Sequence, residues 1–353
     1  MGATRGRPAR SHDGPRMEGT MTTHVRRSST TEAIEPDLAA LWRDVAQQGP
    51  VARAVMSNLI VFRQPDAADR AGPGDAITAG LALEDVVARH PSRLIVLEHQ
   101  PDPSGTRAPF AVTIGVLTFG PEGSRFGIEL IAIESTCAEA CLPSIVRQLV
   151  RGDVPTSVWW MDDLSRMPPL DAIIGMSRQF VYDSRSWRDV RRGMSAAASL
   201  IRPGRRLDLA DLNWRRLAPV RQALLHACTV ADLDDLRRGH VRVLHRPGDS
   251  ALAWLCVGWL AKRLGWSRDL MPSVEEDRRG DALLMIDVGE APARLTAVLD
   301  SYHAVVDSGG RVPLLTVPVP FESDANAVAA ELRNLSQDIC LHGAIEAATL
   351  FLQ

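Results

Sequence analysis

Short β-branched runs that alternate with helix-period segments limit most strongly what this chain can fold into. Residues 57–62 read as a strand, and a loop rich in Gly, Pro and Asp follows it. Leu83, Val86, Val87 and His90 then recur at helical spacing until Pro91 ends the helix, and residues 93–97 form a second strand. Strand, helix and strand in that order normally make a right-handed crossover between parallel neighbours. Residues 111–118 and 125–133 flank the turn-rich Gly120-Pro121-Glu122-Gly123, which predicts an antiparallel hairpin and hence a mixed sheet.

The same reading extends to both ends. Leu38, Leu41, Trp42 and Val45 mark a helix over residues 37–48 that Gly49-Pro50 stops, residues 142–149 form another, and residues 156–160 a short strand. The Pro-containing stretch 162–170 is the expected linker. Beyond it come a short helix at 171–176, a strand at 179–182, helices at 187–200 and 217–227, a strand at 240–244 and an apolar helix at 250–264. Strands at 283–286, 295–299 and 314–317 precede terminal helices at 324–335 and 340–351. The expected fold is two α/β domains with mixed sheets, residues 35–165 and 166–353, behind a disordered basic tail of residues 1–34.

Composition narrows the function. Forty basic and 43 acidic side chains leave a net charge of -3, too balanced for the broad positive footprint of a nucleic-acid binder. The longest apolar stretch, residues 251–261, is too short to span a bilayer. The first thirty residues carry six arginines but no apolar block, which argues against a secretory signal and for the cytoplasm. Five cysteines, an odd number, fit a reducing compartment better than a disulfide framework.

Most local catalytic signatures are missing from the sequence: no phosphate-cradling G-x-x-x-x-G-K-[ST], no G-x-G-x-x-G, no H-E-x-x-H, no C-x-x-C. No metal and no cofactor is therefore expected. One enzymatic alternative stands. Gly248-Asp249-Ser250 lies between a strand and a helix and resembles the Gly-Asp-Ser hydrolases, and Asp300 and His303 would supply the acid and base for Ser250. Those hydrolases place their serine at the start of the domain, whereas here about two thirds of the chain precedes it, and a helix cap by Asp249 or Ser250 is the commoner use of such residues. Cys137 and Cys141, four apart, would share a helix face as a redox pair or half of a metal site; burial as core residues is the plainer reading. The histidines have no metal-ligand spacing.

Residues 185–221 hold ten arginines against Asp189, Asp208 and Asp211. Such a run is either a solvated face or a docking surface for an acidic partner or phosphate. Trp159, Trp160 and Trp214 are likewise either core or interface anchors.

Laid in order, five stretches resemble the glucose-6-phosphate dehydrogenase assembly protein family, OpcA. They are His90-Pro91-Ser92-Arg93 with the following Leu94-Ile95-Val96; Leu142-Pro143-Ser144-Ile145-Val146 leading to Pro155 and Trp159-Trp160; Asp183-Ser184; Asp211-Leu212-Asn213-Trp214-Arg215-Arg216-Leu217-Ala218-Pro219; and Val257-Gly258-Trp259-Leu260-Ala261 with Leu264-Gly265-Trp266. The resemblance implies two α/β domains, no catalysis, and association with the oligomeric glucose-6-phosphate dehydrogenase as an activator. With it goes an expected contact surface among Trp159, Trp160, Asn213, Trp214 and Arg216.

Overall fold

The apolar runs assemble into two sheets. The computed structural model describes residues 22–353 apart from 65–82, 103, 107, 122–123, 229–235, 238, 267–268, 291–293 and 311–312. In chain order come β1 (Thr22–Ser29), α1 (Ile34–Gln47), β2 (Val51–Arg53), β3 (Ser57–Arg63), α2 (Leu83–Arg89), β4 (Ser92–His99), β5 (Phe110–Phe119), β6 (Arg125–Ser135), α3 (Leu142–Leu149) and β7 (Thr156–Trp160). Next are α4 (Asp171–Ile174), β8 (Gln179–Tyr182), α5 (Val190–Leu200), β9 (Asp208–Asp211), α6 (Leu212–Arg216), α7 (Ala218–Cys228), β10 (Val241–His245) and α8 (Ser250–Leu264). The rest are β11 (Ser273–Glu276), β12 (Leu284–Val288), β13 (Leu295–Leu299), β14 (His303–Asp307), β15 (Leu315–Pro318), α9 (Asp324–Leu332) and α10 (Ile339–Phe351).

The first sheet has nine strands in the order β1-β5-β6-β4-β3-β7-β8-β9, with β2 beside β6. From β6 to β9 the neighbours run parallel, and β5 and β1 add an antiparallel margin. Every residue of β4 and β7 is buried, as a parallel sheet covered on both faces requires. The second sheet has six strands, β11-β10-β12-β13-β14-β15, antiparallel except for the β10–β11 pair. The mixed α/β expectation holds.

Two expected boundaries differ from the structure. Residues 162–170 join two strands of the same sheet, because β8 pairs in parallel with β7 and β9 with β8. The change from one sheet to the other falls between Asp211 and Val241, not at 165/166. Of the expected tail, residues 1–21 lie outside the described residues, while Thr22–Ser29 form β1 against β5. Thr and Val suit an edge strand, but the polar sequence TTHVRRSS has no apolar alternation that would announce one.

One core cluster runs from the nine-stranded sheet into the second. It includes Trp160 and Tyr182, Leu252 and Val257 of α8, and Ile286 and Ala297 of the six-stranded sheet. The helix α8 sits inside this cluster, which is why its sequence is apolar on all sides. It packs on α10 so closely that a Cβ on Gly258 would collide with the Ala344 carbonyl. A second cluster covers the other face of the nine-stranded sheet, where α9 lies beside α2 through Val328, Leu332, Val86 and Val87. The chain therefore leaves the first sheet, builds the second, and returns to the first.

Candidate functional site

The return is fastened at α6. The last residue of β9, Asp211, accepts hydrogen bonds through one oxygen from the backbone N–H of Asn213 at 2.9 Å and of Ser184 at 3.1 Å. Asp211 thereby caps α6 and ties the end of β9 to the end of β8. Asn213, wholly buried, donates to the Ser184 hydroxyl at 3.0 Å.

Three consecutive side chains then reach into the C-terminal segment. Trp214 donates from its indole N–H to Asp338 at 2.7 Å, the residue that caps α10. Arg215 donates to Glu322 at 2.5 and 2.8 Å and to Glu331 at 3.0 Å. Arg216 grips Asp183 through two nitrogens, at 2.8 and 2.9 Å, and reaches Asp324 at 3.0 Å. Planar, forked guanidinium groups are suited to such two-oxygen contacts. Arg221 stacks over the Trp214 ring at 3.6 Å. Beside these residues lies a cavity of about 160 Å³ lined by Asp211, Trp214, Arg221 and Asn334 among others.

Burial, then the neighbouring Asp183 charge, pushes the Asp211 carboxyl up to about 7. Its second oxygen is buried without a hydrogen-bond partner. Tyr182, opposite Asp211 on the adjacent strand, is raised well above its ordinary value, first by burial and then by Asp211. Burial works against the Arg216 charge, but Asp183 and Asp324 together outweigh it and the guanidinium's pKa is raised. Burial raises Glu331 more than Arg215 lowers it.

The expected contact surface is thus largely interior. Trp160 is 1% exposed and stacks on Phe62 with ring centroids 4.1 Å apart. Trp159, on the opposite face, is 6% exposed, Trp214 is 5% and Asn213 is 0%. These four side chains are buried and fill the core and the joint. Arg216 alone is partly accessible, and its guanidinium is already engaged. Sequence reasoning brought Asn213, Trp214 and Arg216 together but missed Glu322, Asp324, Glu331 and Asp338. The one signal for them was the unbalanced run of arginines, which requires acids from elsewhere. Arg202 and Arg205 take Asp171, and Arg185 takes Asp183 and Asp324.

The alternative hydrolase residues do not assemble. Asp300 accepts from the backbone N–H groups of Tyr302 at 2.6 Å and His303 at 2.7 Å, closing the β13–β14 turn. Ser250 opens α8 after β10, and β12 lies between β10 and β13, a separation of roughly 10 Å across the sheet. The expected cap is also different: Asp249 takes the N-cap position, but its side chain pairs with Arg246 at 2.9 Å and makes no capping bond. Cys137 is half-buried and Cys141 exposed; burial raises the Cys137 thiol most, which disfavours the reactive thiolate. Among the described residues no group of three His, Cys, Asp or Glu side chains could hold a metal ion, and no helix is long and apolar enough to cross a membrane.

Family models match both halves of this arrangement. The N-terminal domain of the glucose-6-phosphate dehydrogenase subunit matches residues 83–199, and the C-terminal domain of that subunit matches residues 207–345. The chain belongs to the OpcA family of glucose-6-phosphate dehydrogenase subunits. The two OpcA matches meet just before β9, so the joint at α6 opens the C-terminal one. A Nostoc punctiforme protein provisionally named OxPP cycle protein OpcA is 24% identical over 251 residues, 66% of this chain and 53% of that one. Its Synechococcus elongatus counterpart is 25% identical over 195 residues, 53% of this chain and 43% of that one. The chain therefore matches about half the length of these curated relatives. Among solved structures, Gal80p of Kluyveromyces lactis gives a TM-score of 0.36 at 8% identity, covering 82% of this chain and 85% of that one. An NAD binding oxidoreductase of Klebsiella pneumoniae gives 0.36 at 11% identity, covering 84% and 97%. Likenesses so slight bear on neither fold nor function.

Proposed function

We propose that this chain is a non-catalytic assembly factor that binds the glucose-6-phosphate dehydrogenase oligomer in the cytoplasm and activates it, supporting the oxidative pentose phosphate pathway. The observation that carries this reading is the pair of dehydrogenase-subunit matches, which together take in most of both sheets and the α6 joint between them. The names of the Nostoc and Synechococcus relatives point to the same pathway. The interior supports it too. At the carboxyl ends of β7, β8 and β9, where open parallel sheets commonly bind ligands, the chain places Trp160, Tyr182 and the Asp183–Arg216 pair.

An activator of this kind acts by affinity. It must bind the dehydrogenase's active shape more tightly than its inactive one, since equal affinity would shift nothing. By reciprocity, substrate then tightens the complex. The partner is a protein, with no nucleic acid and no membrane in the reading. The test mixes the purified chain with the dehydrogenase of the same organism. Formation of a complex, together with a lower KM or higher kcat, is the expected result. A dehydrogenase whose mass and kinetics ignore a saturating excess of the chain would end the proposal.

A further inference from the structure

The six-stranded sheet has two unlike faces. Its inner side chains, such as Val243, Ile286, Ala297 and Val306, are buried against α7 and α8. The outer face carries a row that is apolar across four adjacent strands: Leu244, Met285, Val298 and Val305 stand opposite one another in register. All four are partly exposed, Met285 the most at 37%. One pleat away, also in register, runs Arg242, Asp287, Thr296 and Asp307. On β15 the exposed Thr316 stands opposite Val305 and ends the first row.

The order of these rows has a consequence for symmetry. A two-fold axis laid along the strands between β12 and β13 keeps each row at its own height and exchanges β10 with β14 and β12 with β13. Under that operation Arg242 of one copy, whose guanidinium also donates to Glu275 of its own β11 at 2.9 Å, faces Asp307 of the other, twice. Asp287 faces Thr296, Leu244 faces Val305, and Met285 faces Val298. Cation meets anion and apolar meets apolar, with no like charges opposed within the two rows. A self-matching patch is what an isologous interface requires, and face-to-face sheets with aligned strands are a standard packing.

We propose that a second copy of this chain packs on the outer face of the six-stranded sheet, making a two-fold β-sandwich dimer with reciprocal Arg242–Asp307 contacts. Strand-edge pairing is the other route by which sheets associate, and at the β15 edge Pro313, Pro318 and Pro320 oppose it. Six strands about 4.8 Å apart and about 17 Å long give roughly 480 Å² of sheet per copy. The total of roughly 1,000 Å² lies at the lower limit of specific interfaces, so the dimer is weak and reversible. The inference does not rest on the dehydrogenase reading.

Sedimentation equilibrium of the full chain over a wide concentration range tests it. Wild type should associate to a dimer and no further. Arg242→Asp and Asp307→Arg, each alone, should raise the dissociation constant by about tenfold or more, because each opposes like charges twice. The double variant R242D/D307R should return to within about threefold of wild type, a rescue that general damage to the fold cannot produce. Met285→Arg should abolish association while the thermal unfolding midpoint stays near wild type. A chain that is monomeric at every concentration overturns the proposal, as does a double swap as weak as the single variants. Loss of dehydrogenase binding on Met285→Arg with self-association unchanged would assign the face to the dehydrogenase, and would equally overturn it.

Discussion

In the nine-stranded sheet every residue of β4 and β7 is buried, whereas in the six-stranded sheet alternate residues of β10, β12, β13 and β14 face outward. The first arrangement follows from parallel strands with helices on both faces, the second from an antiparallel meander covered on one. The difference separates two kinds of residue. Distinctive side chains of the first sheet, the paired tryptophans and the β9–α6 motif, are engaged inside the molecule. The outer face of the second sheet, by contrast, carries partly exposed side chains such as Met285.

Substitution in the two sheets should therefore differ most at the aromatic stack. Trp160→Ala removes the ring that stacks on Phe62 and should cost roughly 3–5 kcal/mol in denaturant unfolding. Met285→Ala, on the open face, should stay within about 0.5 kcal/mol. Similar costs at the two positions would erase the contrast.

Asp211 gives the comparison a pH dependence. Its folded pKa of about 7 lies above the unfolded value of 3.8, so between those limits the folded state holds a proton that the unfolded state has lost. Stability from this group is full below about pH 4, falls as pH rises to about 7, and is level above. The whole drop is at most roughly 4 kcal/mol. Asp211→Asn keeps the acceptor oxygen and should flatten that slope, leaving the variant more stable than wild type at pH 8 in chemical denaturation. An unchanged slope would show that Asp211 is charged throughout.

Arg216→Ala should come next, at roughly 2 kcal/mol, because it takes from Asp183 and Asp324 the closer of their two cations and leaves them only the longer, partly screened contacts to Arg185. Smallest of all is Ser250→Ala. With Asp300 committed to its own turn, it should leave stability within about 0.5 kcal/mol. Any turnover of a chromogenic ester that disappears with this change would revive the hydrolase alternative.

Much of the fold was legible because periodicity and register report burial. The strands at 57–62, 93–97 and 156–160 each end in an unbroken apolar run, Leu59–Phe62, Leu94–Leu97 and Val158–Trp160, and each became a central strand. The strands that escaped notice are β1, β2, β9, β11 and β14: the first four carry Arg, Asp, Ser or Glu and pair with neighbours fixed elsewhere, and β14 is five residues long with His303 and Asp307 at its ends. Arg93 and Glu129 were unreadable for the same reason. Each is a charged residue in a strand, buried because Arg93 donates to Glu129 at 2.8 Å while Trp42 donates to the same carboxylate at 2.9 Å. At the joint the sequence showed which residues are unusual, but not whether they face in or out. Tryptophan and arginine serve cores and interfaces alike, and only the positions of Asp324, Glu331 and Asp338, more than a hundred residues on, decide between them.

The direct test of α6 as a joint, with the working surface elsewhere, is a titration of wild type and Arg216→Ala into the host's glucose-6-phosphate dehydrogenase at a temperature where both chains are folded. A joint predicts a lower unfolding midpoint for the variant, yet the same maximal activation and a half-saturating concentration within about twofold of wild type. An unfolding midpoint like wild type combined with a large loss of affinity would contradict it, and would put Arg216 back on the contact surface.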